Sequence, residues 1–390
     1  MRLLIAGGGT GGHIYPALAV ARSLREAETR DGGPPELGWI GGRRGLETQL
    51  VPPAGIPLRR LMLRSLRTVD LNVHTVADPI RLAASVPQAA AMLARERPAA
   101  IFTTGGYVAV PVLMAAAPLR IPVVLWDGNV IPGRAVRVTA RLADVITVSY
   151  EATCQALASA ADDAPCYVTG TPIRDVRAID REAARVQLDV PAGERVLLIF
   201  GGSQAVRRFN AAVAGALPQL VEKATVIHVA GQDGYAAALA GREALPEPVR
   251  GRYRPYPFLR DEMLPALAAA DLVVGRAGSS TLAEATAFGL PLVVVPYPHA
   301  AGHQKANARE LVEAGAARVI DDEAFDAAAL LDAATLLDDP AAHLEMSAAA
   351  RSLGRPGAAD AVARLVLAAA ERHELPEPEA IERLSRGVAA

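Results

Sequence analysis

Two side chains that often build sites are nearly missing from this sequence of 390 residues. Cysteine occurs only at Cys154 and Cys166. Two cysteines cannot make a disulfide framework, and their spacing matches no metal site. The pair therefore reads as buried filler in a reducing compartment. Lysine also occurs twice, at Lys223 and Lys305, so arginine supplies 38 of the 40 basic side chains. That bias reads as genome composition, and an arginine counts only where its neighbours single it out. No excess of either charge is present, 40 basic against 42 acidic side chains, which argues against a dedicated nucleic-acid binder. A long apolar span is missing too. Met1–Ala6 is too short for a signal peptide and runs at once into glycines. Ala99–Leu119 has 21 residues without a charge, but it contains Gly105-Gly106-Tyr107, two threonines and two prolines. It reads as strand, glycine turn and helix, and the chain as soluble with surface attachment to a membrane left open. Neither an Asp-x-Asp pair nor a His-Glu-x-x-His arrangement occurs, so no metal is expected. A diphosphate leaving group would then be neutralised by backbone dipoles and by cationic or neutral donors.

What is present is 51% hydrophobic, enough to exclude a disordered chain, and long enough for two or three domains. Short apolar runs alternate with longer Ala/Leu-rich helical stretches, the pattern of βα units and a parallel sheet. Expected strands are Leu3–Ala6, Leu37–Ile40, Ala100–Thr103, Val123–Trp126 and Val145–Val148. A second set is Val196–Phe200, Thr225–Val229, Asp271–Val274 and Pro291–Val295. The interval Thr169–Asp189 is the expected boundary, giving domains 1–174 and 175–354. Val362, Leu365, Val366 and Ala369 share one face of a helix, placed at about 355–372, and 373–390 is a polar tail. Leu3-Leu4-Ile5-Ala6-Gly7-Gly8 recurs as Leu197-Leu198-Ile199-Phe200-Gly201-Gly202, so two halves of similar build are expected. Two such sheets facing each other would make one cleft at their carboxyl ends. Charge divides along the same line: residues 1–174 carry 18 basic and 13 acidic side chains, and residues 175–390 carry 22 and 29. A basic half of this kind can mark an anionic or membrane partner.

Gly7-Gly8-Gly9-Thr10-Gly11-Gly12 follows a strand and fits the dinucleotide-binding pattern, in which a helix start offers N–H donors to a pyrophosphate. That pattern also wants an acid ending the second strand to hold a ribose, and here the strand ends in Gly41-Gly42-Arg43-Arg44. NAD is therefore disfavoured, and NADP survives only through the arginines. Further pairs, Gly41-Gly42, Gly105-Gly106 and Gly201-Gly202, also follow strands. Several such loops suit a transferase that brings together two pyrophosphate-bearing substrates. Ser203 and Gln204 add a hydroxyl and an amide to the last. In the second half, Gly275-Arg276-Ala277-Gly278 precedes Ser279-Ser280-Thr281-Leu282-Ala283-Glu284. The hydroxyl residues open a helix toward an anion, and Glu284, about one turn in, can hold a ribose diol. Gln304 lies in the polar loop that follows the next strand.

At these residues the chain resembles the MurG family of glycosyltransferases. The resemblance rests on Gly8–Ala19, Thr104-Gly105-Gly106-Tyr107-Val108, Gly170-Thr171-Pro172-Ile173-Arg174, Gly201-Gly202-Ser203-Gln204 and Arg276–Pro291, in order, and runs from Arg2 to about Ala370. It implies an α/β fold of GT-B type, two Rossmann-like domains, with the last helix returning to the first. The implied reaction moves N-acetylglucosamine from UDP-N-acetylglucosamine to the 4-hydroxyl of an undecaprenyl-linked muramyl-pentapeptide, with inversion and no cofactor. The N-terminal half would bind the acceptor, through Gly105, Gly106 and Tyr107. Donor contacts would come from Thr10, Gly11, Gly12, Asn129, Arg174, Ser203, Ser279, Ser280, Thr281, Leu282, Ala283, Glu284 and Gln304. The uracil would be held through the backbone of Leu259 or Arg260. Three departures stand out: Trp126-Asp127-Gly128-Asn129 where His-Glu-Gln-Asn is usual, Ala205 for a glycine, and Ser65-Leu66-Arg67 without its flanking glycines.

His13 directly follows the first phosphate loop and is the first choice of base for the attacking hydroxyl; Asp127 is the second. Arg174 would carry diphosphate charge. Arg59–Arg97 holds seven arginines and three acids among Leu61, Met62, Leu63, Leu66, Ile80 and Leu82, a composition suited to anionic lipid at the cytoplasmic face of a membrane. Rival readings are another glycosyltransferase of this architecture acting on a glycolipid or small aglycone, a UDP-sugar epimerase, and an NADP-dependent reductase.

Overall fold

The computed structural model describes residues 1–30, 32–63, 73–161, 163–201, 206–298 and 302–388. They form two α/β units: Met1–Asp175 with Arg355–Ala390, and Val176–Gly354. The first unit holds a parallel sheet of β1 (Arg2–Ala6), β2 (Glu36–Gly41), β3 (Leu58–Arg60), β4 (Ala100–Thr103), β5 (Val123–Asp127), β6 (Val145–Val148) and β7 (Cys166–Val168). Their order is β3-β2-β1-β4-β5-β6-β7. The second unit holds β8 (Val196–Phe200), β9 (Thr225–Val229), β10 (Tyr253–Tyr256), β11 (Leu272–Gly275), β12 (Leu292–Val294) and β13 (Ala317–Val319), in the order β10-β9-β8-β11-β12-β13. Both are doubly wound Rossmann-like sheets.

The central strands read as unbroken apolar runs because helices cover both faces of a parallel sheet. In β1, Leu3 and Ile5 point into a core closed by the helices Gly11–Glu26 and Ala358–Glu371. Leu4 and Ala6 point the other way, into a core shared with Leu93, Val108 and Val112. Val362, Leu365, Val366 and Ala369 of the late helix all lie in the first of these cores. Each buried Val or Leu side chain among them contributes roughly 1.5–3 kcal/mol by leaving water. The repeated Leu-Leu-Ile segment is β1 in one unit and β8 in the other, the strand flanked on both sides in each sheet.

All nine expected strands are present, four with the expected ends and the rest with ends moved by one residue. The four not expected, β3, β7, β10 and β13, are the four sheet edges. The charge-free run Ala99–Leu119 resolves into β4 and the helix Gly106–Ala116 with a short following turn. No helix among the described residues is long and apolar enough to cross a membrane. The polar tail contains a helix, Pro378–Ser385, that buries Ile381 against the first unit, and Tyr167 Oη donates to the Pro376 carbonyl at 3.0 Å.

The cysteines require a correction. Cys154 and Cys166 form a disulfide, with their Cα atoms 5.9 Å apart. The helix Glu151–Leu157 packs against β7, and Cys154 in its middle lies beside Cys166, the first residue of that strand. Counting cysteines excludes a multi-bridge framework but not one local bridge across a helix, loop and strand. The reducing-compartment inference loses its premise.

One buried titratable group ties the second unit to pH. His228 on β9 is almost wholly enclosed, its Nδ1 is 2.8 Å from Tyr253 Oη, and its Nε2 has no partner among the described residues. Burial lowers its pKa to about 4. As pH falls below about 6.5 the unfolded chain takes up a proton that folded His228 refuses, so stability falls until about pH 4. Equilibrium unfolding of the wild type should lose about 3 kcal/mol across that window, and His228→Gln should flatten the loss. An unchanged slope in the variant would refute the assignment.

Candidate active site

In a doubly wound sheet, ligands bind at the carboxyl ends of the strands where the strand order reverses. Here the reversals lie at β1/β4 and β8/β11. Among the described residues, the turns at those places are Gly7–Gly12, Thr104–Tyr107 and Arg276–Gly278. The glycine signals of both halves therefore fall where topology puts a site. Gly202, Ser203, Gln204 and Ala205 lie outside the described residues, as does Ser65-Leu66-Arg67.

In the first unit, Thr10 is the N-cap of the helix Gly11–Glu26 and makes no side-chain capping hydrogen bond. Its carbonyl accepts from the N–H groups of His13 and Ile14 at 3.1 and 3.2 Å. The earliest N–H groups of a helix have no partner within it. A Cβ placed on Gly12 would meet nothing nearer than Thr10 Oγ1 at 3.8 Å. The fold itself therefore does not demand glycine at Gly12; an approaching ligand would.

His13 is fixed from both ends. Its Nδ1 lies 2.7 Å from the Thr104 carbonyl oxygen, and Thr104 Oγ1 donates back to the His13 carbonyl at 3.0 Å. A carbonyl can only accept, so Nδ1 carries the proton and the neutral ring keeps its lone pair on Nε2. Nε2 faces Gly106, where a Cβ would stand 3.6 Å away. Gly105 and Gly106 begin the helix after β4, and Tyr107 is half-buried with its ring against Gly9.

Asp127, at the end of β5, is buried. Its Oδ1 accepts from Asn129 N at 2.9 Å and Asn129 Nδ2 at 3.3 Å, while Oδ2 accepts from Gly133 N at 2.9 Å. Burial raises its pKa; those donors and nearby His13 oppose the rise. The carboxylate thus shapes the loop that carries Asn129, whose carbonyl in turn accepts from Thr153 Oγ1 at 2.9 Å. Arg174 is half-buried near the end of this unit.

In the second unit the helix Ser279–Ala287 starts directly beyond β11, capped by Gly278 with no side-chain hydrogen bond. Ser279, Ser280 and Thr281 are its first three residues. Ser280 Oγ is buried with no hydrogen-bond partner among the described residues. A Cβ on Gly278 would meet only Thr281 Oγ1, at 3.9 Å. Both halves thus present a helix start behind a glycine that packing does not require. Ala283 and Glu284 are half-buried in the next part of the helix. Leu282 and Leu259 are core residues, which leaves only their backbone to face a ligand. Arg260 is exposed in the same loop as Leu259, with its guanidinium 5.9 Å from the Phe258 ring. Gln304 Oε1 accepts from Tyr297 N at 2.8 Å and so fixes the loop after β12. Because the strands are parallel, the loops after β10, β11 and β12 all emerge on one edge.

Two residues work in ways their types do not advertise. Arg276 is not a free phosphate ligand: its guanidinium lies 4.9 Å from the Phe209 centroid and 5.4 Å from that of Tyr297, and Nη1 bonds Asp322 Oδ1 at 2.6 Å. It holds the turn by stacking and pairing. Thr104 orients His13 through its carbonyl, a role that no side-chain pattern reveals.

Known proteins place this geometry. Residues 3–148 match the glycosyltransferase family 28 N-terminal domain, and residues 196–365 match the family's C-terminal domain. A UDP-N-acetylglucosamine--N-acetylmuramyl-(pentapeptide) pyrophosphoryl-undecaprenol N-acetylglucosamine transferase from Moorella thermoacetica is 38% identical over 380 residues, 95% of this chain and 100% of that protein. The crystal structure of Acinetobacter baumannii MurG superimposes with a TM-score of 0.73 at 27% identity, over 94% of this chain and 98% of that one. A Listeria monocytogenes structure described as a UDP-N-acetylglucosamine 2-epimerase reaches 0.68 at 16% identity, covering 97% and 99%, and shares the fold alone. With 38% identity along a whole relative and both halves of family 28 in order, the chain belongs to the MurG family of glycosyltransferases.

Proposed function

We propose that the chain transfers N-acetylglucosamine from UDP-N-acetylglucosamine to the 4-hydroxyl of the muramyl sugar in undecaprenyl-pyrophosphoryl-MurNAc-pentapeptide, a peptidoglycan precursor step. The observation that carries the mechanism is His13, locked by Thr104 so that Nε2 holds the lone pair. The acceptor hydroxyl gives its proton to Nε2 as its oxygen bonds the anomeric carbon. The bond from that carbon to the diphosphate breaks, and UDP leaves with the electron pair, inverting the centre. The N–H groups at Ser279–Thr281 offset the leaving charge, together with Arg174 and, outside the described residues, Ser203. Glu284 orients the ribose, the backbone of Leu259 or Arg260 meets the uracil, and Asn129 and Gln304 shape the donor's surroundings. The helix start at Thr10–Gly12 suits a pyrophosphate, and Gly105, Gly106 and Tyr107 border the acceptor. Asp127 is the weaker base, because both of its oxygens already accept from the loop.

Attachment to the cytoplasmic face of an anionic membrane belongs to the same reading. Its support has shifted from the residues first singled out. Leu61 and Leu63 are core, Leu82 is partly buried, and Leu66 and the side chain of Ile80 lie outside the described residues. Met62 remains exposed, and the packed helices Gly106–Ala116 and Arg134–Thr139 with their following turns expose Met114, Leu119 and Val138. Arg120, Arg134, Arg137 and Arg141 are exposed beside them. Apolar side chains ringed by arginine suit an anionic lipid surface. The protein should sediment with phosphatidylglycerol vesicles and be released by salt; equal binding to neutral vesicles would contradict the charge contribution.

Labelled UDP-N-acetylglucosamine offered with a panel of acceptors tests the activity. Label should move to the muramyl lipid. A changed free UDP-sugar would indicate an epimerase, and label on another glycolipid a different acceptor. His13→Ala should lower turnover at least ~10²-fold, and near-normal turnover would remove His13 as the base. Gly12→Ala should leave the melting temperature unchanged or raised, since alanine is the better helix former, while lowering turnover about tenfold. Wild-type kinetics in that variant would mean that no ligand approaches the helix start.

A further inference from the structure

Glu47 is a buried acid that the reaction above does not use. It opens the short helix Glu47–Leu50 after β2 and is wholly enclosed, with no ion pair among the described residues. A carboxylate taken out of water is costly unless its oxygens are satisfied. Here backbone does so: Oε2 accepts from Gly9 N at 2.9 Å, and Oε1 from Gly42 N at 2.9 Å. The Tyr107 hydroxyl lies 3.5 Å from Oε1. Leu46 N donates to the Gly9 carbonyl at 3.4 Å, so the segment around Glu47 holds both polar groups of Gly9.

The glycines around this carboxylate are spaced for it. A Cβ on Gly8 would come within 2.7 Å of Oε1, and one on Gly45 within 2.2 Å of Oε2. On Gly41 it would meet Glu47 Cγ at 2.8 Å, and on Gly42 the Tyr107 hydroxyl at 2.4 Å. Gly41-Gly42, expected to be a further phosphate loop, is thus room for Glu47 and Tyr107. Gly12 has no such neighbour. The loop after β1 therefore divides into a part that the protein fills itself and a part left open.

We propose that Glu47 is a positioning residue for the transfer site: its carboxylate sets the Gly8–Gly12 turn and Tyr107, and through them the stance of His13. This rests on the transferase reading. By taking the N–H of Gly9, Glu47 also leaves an anion the donors farther along, from Thr10 to Gly12. Burial, and next the adjacent Glu47 charge, hold the Tyr107 phenol protonated well above its usual range, so it meets an acceptor as a donor.

Glu47→Gln is the test, because it keeps the shape but leaves only one acceptor oxygen for two N–H donors. Hydrogen exchange in segments 7–12 and 104–108 should accelerate while the rest of the protein exchanges as before. With UDP-N-acetylglucosamine and the muramyl lipid, kcat should fall about tenfold to a hundredfold, and the donor KM should stay within about threefold. Gly45→Ala places a Cβ where Oε2 stands and should reproduce both effects if the first variant does not fold. Unchanged local exchange with wild-type turnover would overturn the proposal. So would exchange rising throughout the first unit with turnover restored on cooling, the mark of lost stability alone. A wild type that transfers no label would overturn the transferase reading instead, and exchange at 7–12 still decides the role of Glu47.

Discussion

Parallel pairing is the constraint on which this molecule depends. A parallel strand cannot follow its neighbour through a tight hairpin; the chain must cross back over one face, so every strand ends on the same edge of its sheet. Both sheets consequently collect all their βα loops along one rim. Because each sheet winds outward from its first strand in both directions, the rim has one gap where neighbouring loops diverge. The turns after β1 and β4, and that after β11, have nowhere else to be. His13 and Thr104 are 91 residues apart in sequence and 2.7 Å apart in space because β1 pairs with β4.

The same constraint explains what the sequence reveals and hides. Strands buried on both faces are mostly apolar, so β1, β4, β5, β6, β8 and β9 stand out as runs such as Leu3–Ala6 and Val196–Phe200. Edge strands have one neighbour and less cover, and their composition is relaxed to match. β3 reads Leu-Arg-Arg, β10 reads Tyr-Arg-Pro-Tyr and β13 reads Ala-Arg-Val, none separable from a loop by hydropathy. The site divides similarly. Glycine turns and helix starts announce themselves locally, whereas Glu47 gives no sign, since the groups it satisfies are backbone N–H groups from other segments. The Cys154–Cys166 bridge was hidden for a related reason: one of its partners sits on an unrecognised edge strand.

Glu47 also bears on the dinucleotide reading of the first glycine loop. A dehydrogenase of this topology ends its second strand in an acid whose oxygens face a ribose. Here the acid comes a few residues later and turns inward, and both oxygens are occupied by the protein's own backbone. The glycine fingerprint is present, but its usual ribose ligand is spent on building the loop. An NAD-dependent enzyme would need that carboxylate; a transferase whose nucleotide is recognised by the second unit does not.

The acids and the imidazole of the first unit thus fall into separate kinds of work. Asp127 and Glu47 are both buried, and each accepts two or more hydrogen bonds from backbone N–H groups or a nearby side chain. To act as a base, either would have to give up bonds that hold its loop, and proton transfer would loosen the site at the moment it must be rigid. His13 has the opposite arrangement. Its structural hydrogen bond is made by Nδ1, the nitrogen that carries the proton, so Nε2 can accept a proton without surrendering that contact. The resulting imidazolium keeps the bond to Thr104 and lies near enough to Asp127 for attraction. On the proposed reaction, loop construction falls to carboxylates that never need to titrate, and proton transfer to the ring that can change charge while staying in place.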